Sequence, residues 1–100
     1  MDIEDITVAE GTAAEFSVKV SPEDAPTLWY IDGIQVFESD KFEITSAGSW
    51  RYLVIYDTTQ FDSGTITVVV GEEDMEGYLV VEGKIIEGYQ GIVHLSQMMK

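Results

Sequence analysis

The chain has 100 residues, of which 19 are acidic and 5 are basic, so its formal net charge at pH 7 is −14. This length fits one domain, and the 45% of apolar residues are enough for a core without metal or disulfide crosslinks. The absence of cysteine excludes disulfides and cysteine-ligated metal sites. The scarcity of basic side chains argues against nucleic acid and against anionic membranes as partners, because both are bound by clustered lysine and arginine.

The first half of the chain predicts short β-strands separated by polar turns. Ile6 and Val8 alternate with polar residues ahead of the turn pair Glu10-Gly11, and the alternation resumes from Ala14 to Val20. A period of two is typical of a strand with one buried face. Another strand is expected in TLWYI, and Asp32-Gly33 then gives a strong signal for a hairpin turn into IQVF.

The second half continues this pattern. Strand signals recur in KFEIT, WRYLVIY, TITVVVG and YLVVEG, and the acidic stretch GEEDMEG is predicted to connect the last two strands. Turn residues at intervals of about ten positions are typical of an antiparallel sandwich or barrel. We therefore predict an all-β domain of roughly seven or eight strands at residues 1–83.

Several landmarks resemble an immunoglobulin domain of the intermediate set. Trp29 in PTLWYIDG is similar to the tryptophan on the third strand of that family, and YLVI at residues 52–55 resembles a later strand. DSG at residues 62–64 resembles the corner that precedes the next strand. The resemblance covers residues 3–83 and implies two antiparallel sheets packed face to face, with Greek-key connections.

Two departures from the family concern its disulfide and its corner tyrosine. The positions of the paired cysteines fall on Val18 and Val68, and the tyrosine position falls on Ile66. A valine pair keeps this region apolar, so that it can pack against Trp29. Cysteine-poor domains of this set resemble those of intracellular muscle proteins such as titin, obscurin and twitchin. The resemblance therefore implies a disulfide-free domain in the reducing cytoplasm of the sarcomere or cytoskeleton.

The sequence offers no pattern for catalysis, cofactor binding or metal binding. His94 is the single imidazole, so a catalytic triad or a multi-histidine metal centre has too few residues. The carboxylates between Glu72 and Glu76 lack the spacing of a calcium loop, and no glycine-rich phosphate loop occurs. We therefore expect no enzyme activity, no cofactor and no metal site.

One strand predicts a row of large side chains on an outer face. If Leu53 and Ile55 face the core, alternation places their neighbours on the opposite side of the sheet. Packing across strands would explain such a row, whereas contiguous exposed apolar surface is also typical of a partner-binding patch. The residues concerned are Trp50, Tyr52, Val54 and Tyr56.

Residues 84–100 are too apolar for an ordinary disordered linker. Their spacing fits a helix and an interrupted strand equally well. We interpret them as an apolar C-terminal tail that is a linker, a docking segment or the start of a next domain. The candidate contact residues of the tail are Ile85, Ile86, Tyr89, Ile92, Leu95, Met98 and Met99.

The resemblance implies a non-enzymatic structural and protein-interaction module of an intracellular muscle or cytoskeletal protein. Its expected partners are other protein domains, including a neighbouring immunoglobulin-like domain or a second copy. The opening MDIEDITV lacks the features of a secretion signal, and no apolar run approaches the roughly 20 residues of a membrane span. Two alternatives stay open: a designed or engineered scaffold or binder, and an extracellular adhesion domain whose cysteines were replaced.

Overall fold

The computed structural model describes residues 3–83 of the chain. In this range the chain forms eight β-strands and one 3₁₀ turn, Gln60–Asp62, between the sixth and seventh strands. The strands are β1 (Ile6–Ala9), β2 (Ala14–Lys19), β3 (Thr27–Ile31), β4 (Ile34–Gln35), β5 (Phe42–Ala47), β6 (Trp50–Ile55), β7 (Gly64–Val70) and β8 (Glu73–Glu82).

The strands form two sheets that enclose one apolar core. The five-stranded sheet has the order β1-β8-β7-β3-β4, and the three-stranded sheet has the order β2-β6-β5. The pairings between the described strands are antiparallel except that of β1 with β8, which is parallel. The predicted two-layer antiparallel sandwich is thus confirmed, with one parallel pair at an edge.

Alternation along the strands determines which side chains reach the core. Trp29 on β3 is only 1% exposed, and Val68 lies beside it in the pairing of β3 with β7. Val18 on β2 reaches the same core from the other sheet and is fully buried, as is Val68. The two positions that correspond to the family's cysteines are therefore filled by buried apolar side chains, one from each layer.

The backbone preferences of Asp32 and Gly33 determine the turn between β3 and β4. Asp32 and Gly33 both have positive φ angles, 49° and 82°, which is the requirement of the tight hairpin turn that this residue pair favours. Asp32 also accepts a hydrogen bond from the backbone N–H of Thr65, at 2.9 Å from Oδ1. A side chain at Gly64 would collide with that carboxylate, because an added Cβ would lie 2.6 Å from Asp32 Oδ2.

Two sequence expectations differ from the structure. The stretch GEEDMEG is not a loop, since β8 already begins at Glu73 and only Gly71 and Glu72 connect it to β7. Asp74 and Glu76 alternate with inward-facing Met75 and Gly77, so they belong to the solvent face of a strand, and Glu73 is exposed where the strand begins. The strand expected in IQVF is short, because β4 ends after Gln35.

We predict that Trp29→Ala lowers the free energy of unfolding by about 3–5 kcal/mol, because it leaves a large cavity between the sheets. Trp50→Ala is the matched control, since it removes the same side chain from an outer face and should cost about 1 kcal/mol. Denaturant melts of both variants measure the difference. Equal losses would contradict the placement of Trp29 at the centre of the core.

We also predict that the double variant Val18→Cys, Val68→Cys forms a disulfide in oxidising buffer without rearrangement of the fold. The bridge should raise the free energy of unfolding by about 2–4 kcal/mol, because it constrains the unfolded chain. Thiol titration of the folded, oxidised protein is the measurement, with each single variant as a control that retains its thiol. Two free thiols in the folded double variant would show that the two positions do not face each other.

Candidate protein-binding surfaces

The first candidate surface is the outer face of β6, which we call the β6 face. Leu53 and Ile55 are fully buried, and the residues between and beside them point outwards as predicted. Trp50 is 42% exposed and Tyr56 is 38% exposed, whereas Tyr52 is half-buried. The sequence therefore predicted both the composition and the side of this row correctly.

The rings on the β6 face are packed against one another and against neighbouring strands. Trp50 and Tyr52 stack with ring centroids 6.4 Å apart and an angle of 19° between their planes. Offset stacking of this kind is favourable and limits the rotamers of both rings. Their cross-strand neighbours are Ser17 and Lys19 on β2 and Thr45 and Ala47 on β5. The row is therefore pre-organised, while Trp50 and Tyr56 remain exposed to solvent.

Tyr56 adds a polar group to the edge of this face. Its hydroxyl donates a hydrogen bond to Glu43 Oε1. The hydrogen bond to Glu43, together with partial desolvation and the negative charges of Glu43 and Glu15, raises the pKa of Tyr56 above the usual value. The face thus combines aromatic surface with flanking carboxylates, and it favours a partner that offers apolar and basic groups.

A second surface was not predicted from the sequence. Phe61, Ile34 and Phe37 are 97%, 72% and 67% exposed, which makes them the most exposed large apolar side chains among residues 3–83. All three line one groove of about 490 Å³, which we call the β4 groove. Three carboxylates also line this groove, and they belong to Asp32, Glu38 and Asp62.

The 3₁₀ turn holds the backbone of Phe61 in place. Thr59 Oγ1 accepts a hydrogen bond from the Phe61 N–H at 3.2 Å, and Asp62 Oδ2 accepts one from the Thr59 N–H at 2.8 Å. Lys41 Nζ lies 2.8 Å from the same Asp62 oxygen and donates to the carbonyl of Asp57 at 3.1 Å. Because these contacts fix both ends of the turn, the exposed phenyl ring is presented by a rigid support.

Further large apolar side chains, less exposed than those of the β4 groove, lie on the outer face of the five-stranded sheet. Leu28 on β3 is 44% exposed, and Tyr78 and Val80 on β8 are exposed as well. Leu28 and Trp50 are thus about equally exposed on opposite faces of the sandwich. This equality makes Leu28 a suitable control position for experiments on the β6 face.

The described residues contain no arrangement that would bind a metal ion. Residues 3–83 hold no group of three or more histidine, cysteine, aspartate or glutamate side chains with suitable geometry. The acidic stretch near Glu72 is spread along a turn and the outer face of β8. No helix in the described range could cross a membrane. His94 and the tail residues Ile85, Ile86, Tyr89, Ile92, Leu95, Met98 and Met99 lie outside the described residues.

Comparison with known proteins gives consistent matches. The family described as "Immunoglobulin I-set domain" matches residues 1–77. Cardiac-type myosin-binding protein C of Gallus gallus is 34% identical over 96 residues, covering 94% of this chain and 8% of that protein. The crystal structure of titin domain I10 is 31% identical and has a TM-score of 0.78, covering 81% of this chain and 92% of that chain.

A solved complex is also among the similar structures. Titin domains Z1Z2, solved in complex with telethonin, are 26% identical with a TM-score of 0.76, covering 84% of this chain and 45% of that chain. The match to the Gallus gallus protein covers 94% of the 100 residues, and only 83 residues precede the tail. At least 11 residues of the tail therefore lie within this match.

The predicted disulfide-free sandwich and its muscle-type resemblance are confirmed.

We predict that Glu43→Gln lowers the pKa of Tyr56 towards its usual value of about 10, because the charged hydrogen-bond acceptor is removed. Glu15→Gln is the matched control and should have a smaller effect, since Glu15 acts through charge alone. The Tyr56 ring resonances measured by NMR across alkaline pH give each value. An equal shift in the two variants would contradict the dominant role of the hydrogen bond.

The same pKa fixes the direction of the pH dependence of stability. A raised folded-state pKa means that the folded protein holds the proton more tightly than the unfolded chain does. The stabilisation is therefore fully present below the unfolded pKa of about 10 and is lost as the pH rises through the folded pKa. In Glu43→Gln the folded-state pKa of Tyr56 lies closer to the unfolded value, so this alkaline loss should be smaller and should be complete at a lower pH.

Proposed function

Because the chain belongs to the immunoglobulin I-set family, we propose that it is a non-enzymatic module of an intracellular muscle or cytoskeletal protein. In this proposal it has a structural role and binds other protein domains through its sheet faces. The relatives support this assignment, since they are myosin-binding protein C and titin. The chain spans only 8% of the Gallus gallus protein, which is consistent with one module among many.

The core supports a cytoplasmic location for this module. Val18 and Val68 fill the cysteine positions of the family with apolar groups, so the fold does not depend on an oxidising compartment. The layers are held together without a disulfide, so thiol reductants do not affect their packing. This is the property required of a domain in the sarcomere or cytoskeleton.

The arrangement of the first and last strands supports a structural role. β1 and β8 run parallel and side by side, with Ile6 opposite Leu79 and Ala9 opposite Glu82. The chain therefore enters at one end of this pair and leaves at the other. Tension between the two ends would pull the strands in opposite directions along their length, so that their backbone hydrogen bonds bear the load together.

The observation that carries the binding proposal is the pre-organised aromatic pair on the β6 face. Trp50 and Tyr52 are already stacked, so a partner would not bear the entropic cost of ordering them. Tryptophan and tyrosine are also enriched among residues that dominate binding energy. The complex of titin Z1Z2 with telethonin supports the general idea that domains of this kind bind other proteins.

We predict that the full chain cosediments with myosin filaments, the partner named in its relatives, and that Trp50→Ser weakens this binding about tenfold, roughly 1.4 kcal/mol. Leu28→Ser is the matched control, because Leu28 has similar exposure on the opposite face. Sedimentation over a range of filament concentrations gives the affinities. No cosedimentation, or the same loss in both variants, would contradict the assignment of the β6 face.

A further inference from the structure

The β4 groove collects apolar surface that the fold leaves uncovered. Single exposed apolar residues are common on protein surfaces, but several in one concave site usually mark a contact. Here the three most exposed large apolar side chains of residues 3–83, Phe61, Phe37 and Ile34, line the same groove. The capped 3₁₀ turn fixes the backbone of Phe61 at a position where its ring lies outside the core.

The groove lies between two sheet edges. β4 is at the edge of the five-stranded sheet, and β5, which contributes Phe42 to the groove, is at the edge of the three-stranded sheet. Among the described strands, neither has a partner on its outer side. An apolar segment that entered the groove would therefore cover side chains from both layers and lie beside backbone groups that are free to form hydrogen bonds.

The chain leaves the sandwich beside this groove. The backbone N–H of Val81 donates to Ser63 Oγ at 2.8 Å, next in sequence to the groove residues Phe61 and Asp62. The tail, residues 84–100, therefore begins close to the groove. Each extended residue spans roughly 3.3 Å, so the 17 residues of the tail are long enough to cross from β8 past β7 and β3 to Phe37 on the far side.

The tail complements the groove in both polarity and charge. Residues 1–83 contain 18 acidic and 3 basic residues, a net charge of −15, whereas the tail contains Glu87, Lys84 and Lys100, a net charge of +1. The apolar residues of the tail match the apolar wall of the groove. Its positive net charge matches the carboxylates of Asp32 and Glu38 on the rim.

We propose that the β4 groove binds the apolar tail of the same chain, with the aliphatic side chains of residues 84–100 against Phe61, Phe37 and Ile34. Docking within one chain is favoured over docking to a second copy, because a short connection gives an effective concentration in the millimolar range. A second copy also brings a net charge of −14 to an acidic groove. This assignment concerns a different surface from the β6 face and stands independently of myosin binding.

A spin label on the tail tests the proposal in the full chain. The chain has no cysteine, so Ser96→Cys provides a unique attachment site. We expect the label to broaden the backbone amide resonances of Gln35, Glu38 and Phe61 in the NMR spectrum. The amide of Glu72, in the turn at the opposite end of β7 from the 3₁₀ turn, should remain sharp.

Substitutions in the groove provide the controls. Phe61→Ser should abolish most of the broadening at Glu38 without unfolding the domain, because Phe61 is almost fully exposed. Phe37→Ser is a second variant with the same expected result. Val80→Ser removes an exposed apolar side chain of β8 outside the groove and should leave the broadening unchanged.

A mixed sample distinguishes binding of the chain's own tail from binding of the tail of a second copy. Isotope-labelled chains without the spin label are combined with spin-labelled chains without isotope, so only contacts between copies can broaden the spectrum. We expect no broadening in this sample. Broadening of groove amides there would show that a second copy binds and would overturn the proposal. In the single-chain sample, absent broadening, or broadening spread evenly over the surface, would also overturn it.

Discussion

The packing of Trp29 between the two sheets is the interaction on which the rest of the structure depends. With no disulfide in the chain, the layers are held together by apolar contact. A tryptophan buries roughly 150–250 Å², which at about 25 cal/mol per Å² contributes about 4–6 kcal/mol. Its indole N–H has no hydrogen-bond partner among the described residues, a cost of about 1–3 kcal/mol. The apolar gain is larger, so the residue stabilises the core despite its unpaired donor.

The packing of the core also determines the β6 face, because successive side chains along a strand point to opposite sides of the sheet. Leu53 and Ile55 must face Trp29 to close the layer, and Trp50 and Tyr52 must then point outwards. A shift of one residue in the pairing of β6 would bury the aromatic pair and expose the aliphatic one. A substitution that weakened the core register would therefore also disturb the proposed binding surface, even at a distance from it.

Much of this arrangement could be predicted from the sequence, because it depends on local patterns. Period-two alternation gave the strands and the β6 face, and Asp32-Gly33 gave its hairpin turn through backbone preferences of the two residues. The β4 groove could not be found in this way. It depends on where β4 stops and on how the 3₁₀ turn with Phe61 approaches it from another part of the chain. The stretch GEEDMEG was misassigned as a loop, because acidic residues on the solvent face of a strand resemble turn composition.

The acidic charge links the two proposed surfaces. Sheet edges are templates for pairing, and proteins protect them with charge or cover them. A net charge of −15 on residues 1–83 opposes edge-to-edge association of identical copies, since each approach brings like charges together. The same charge favours segments that are apolar and neutral or basic. The tail has this character, and so would a partner suited to the β6 face, which Glu15 and Glu43 flank. The acidic charge thus determines which segments can bind to the two surfaces, whereas the exposed aromatic groups provide the contact area.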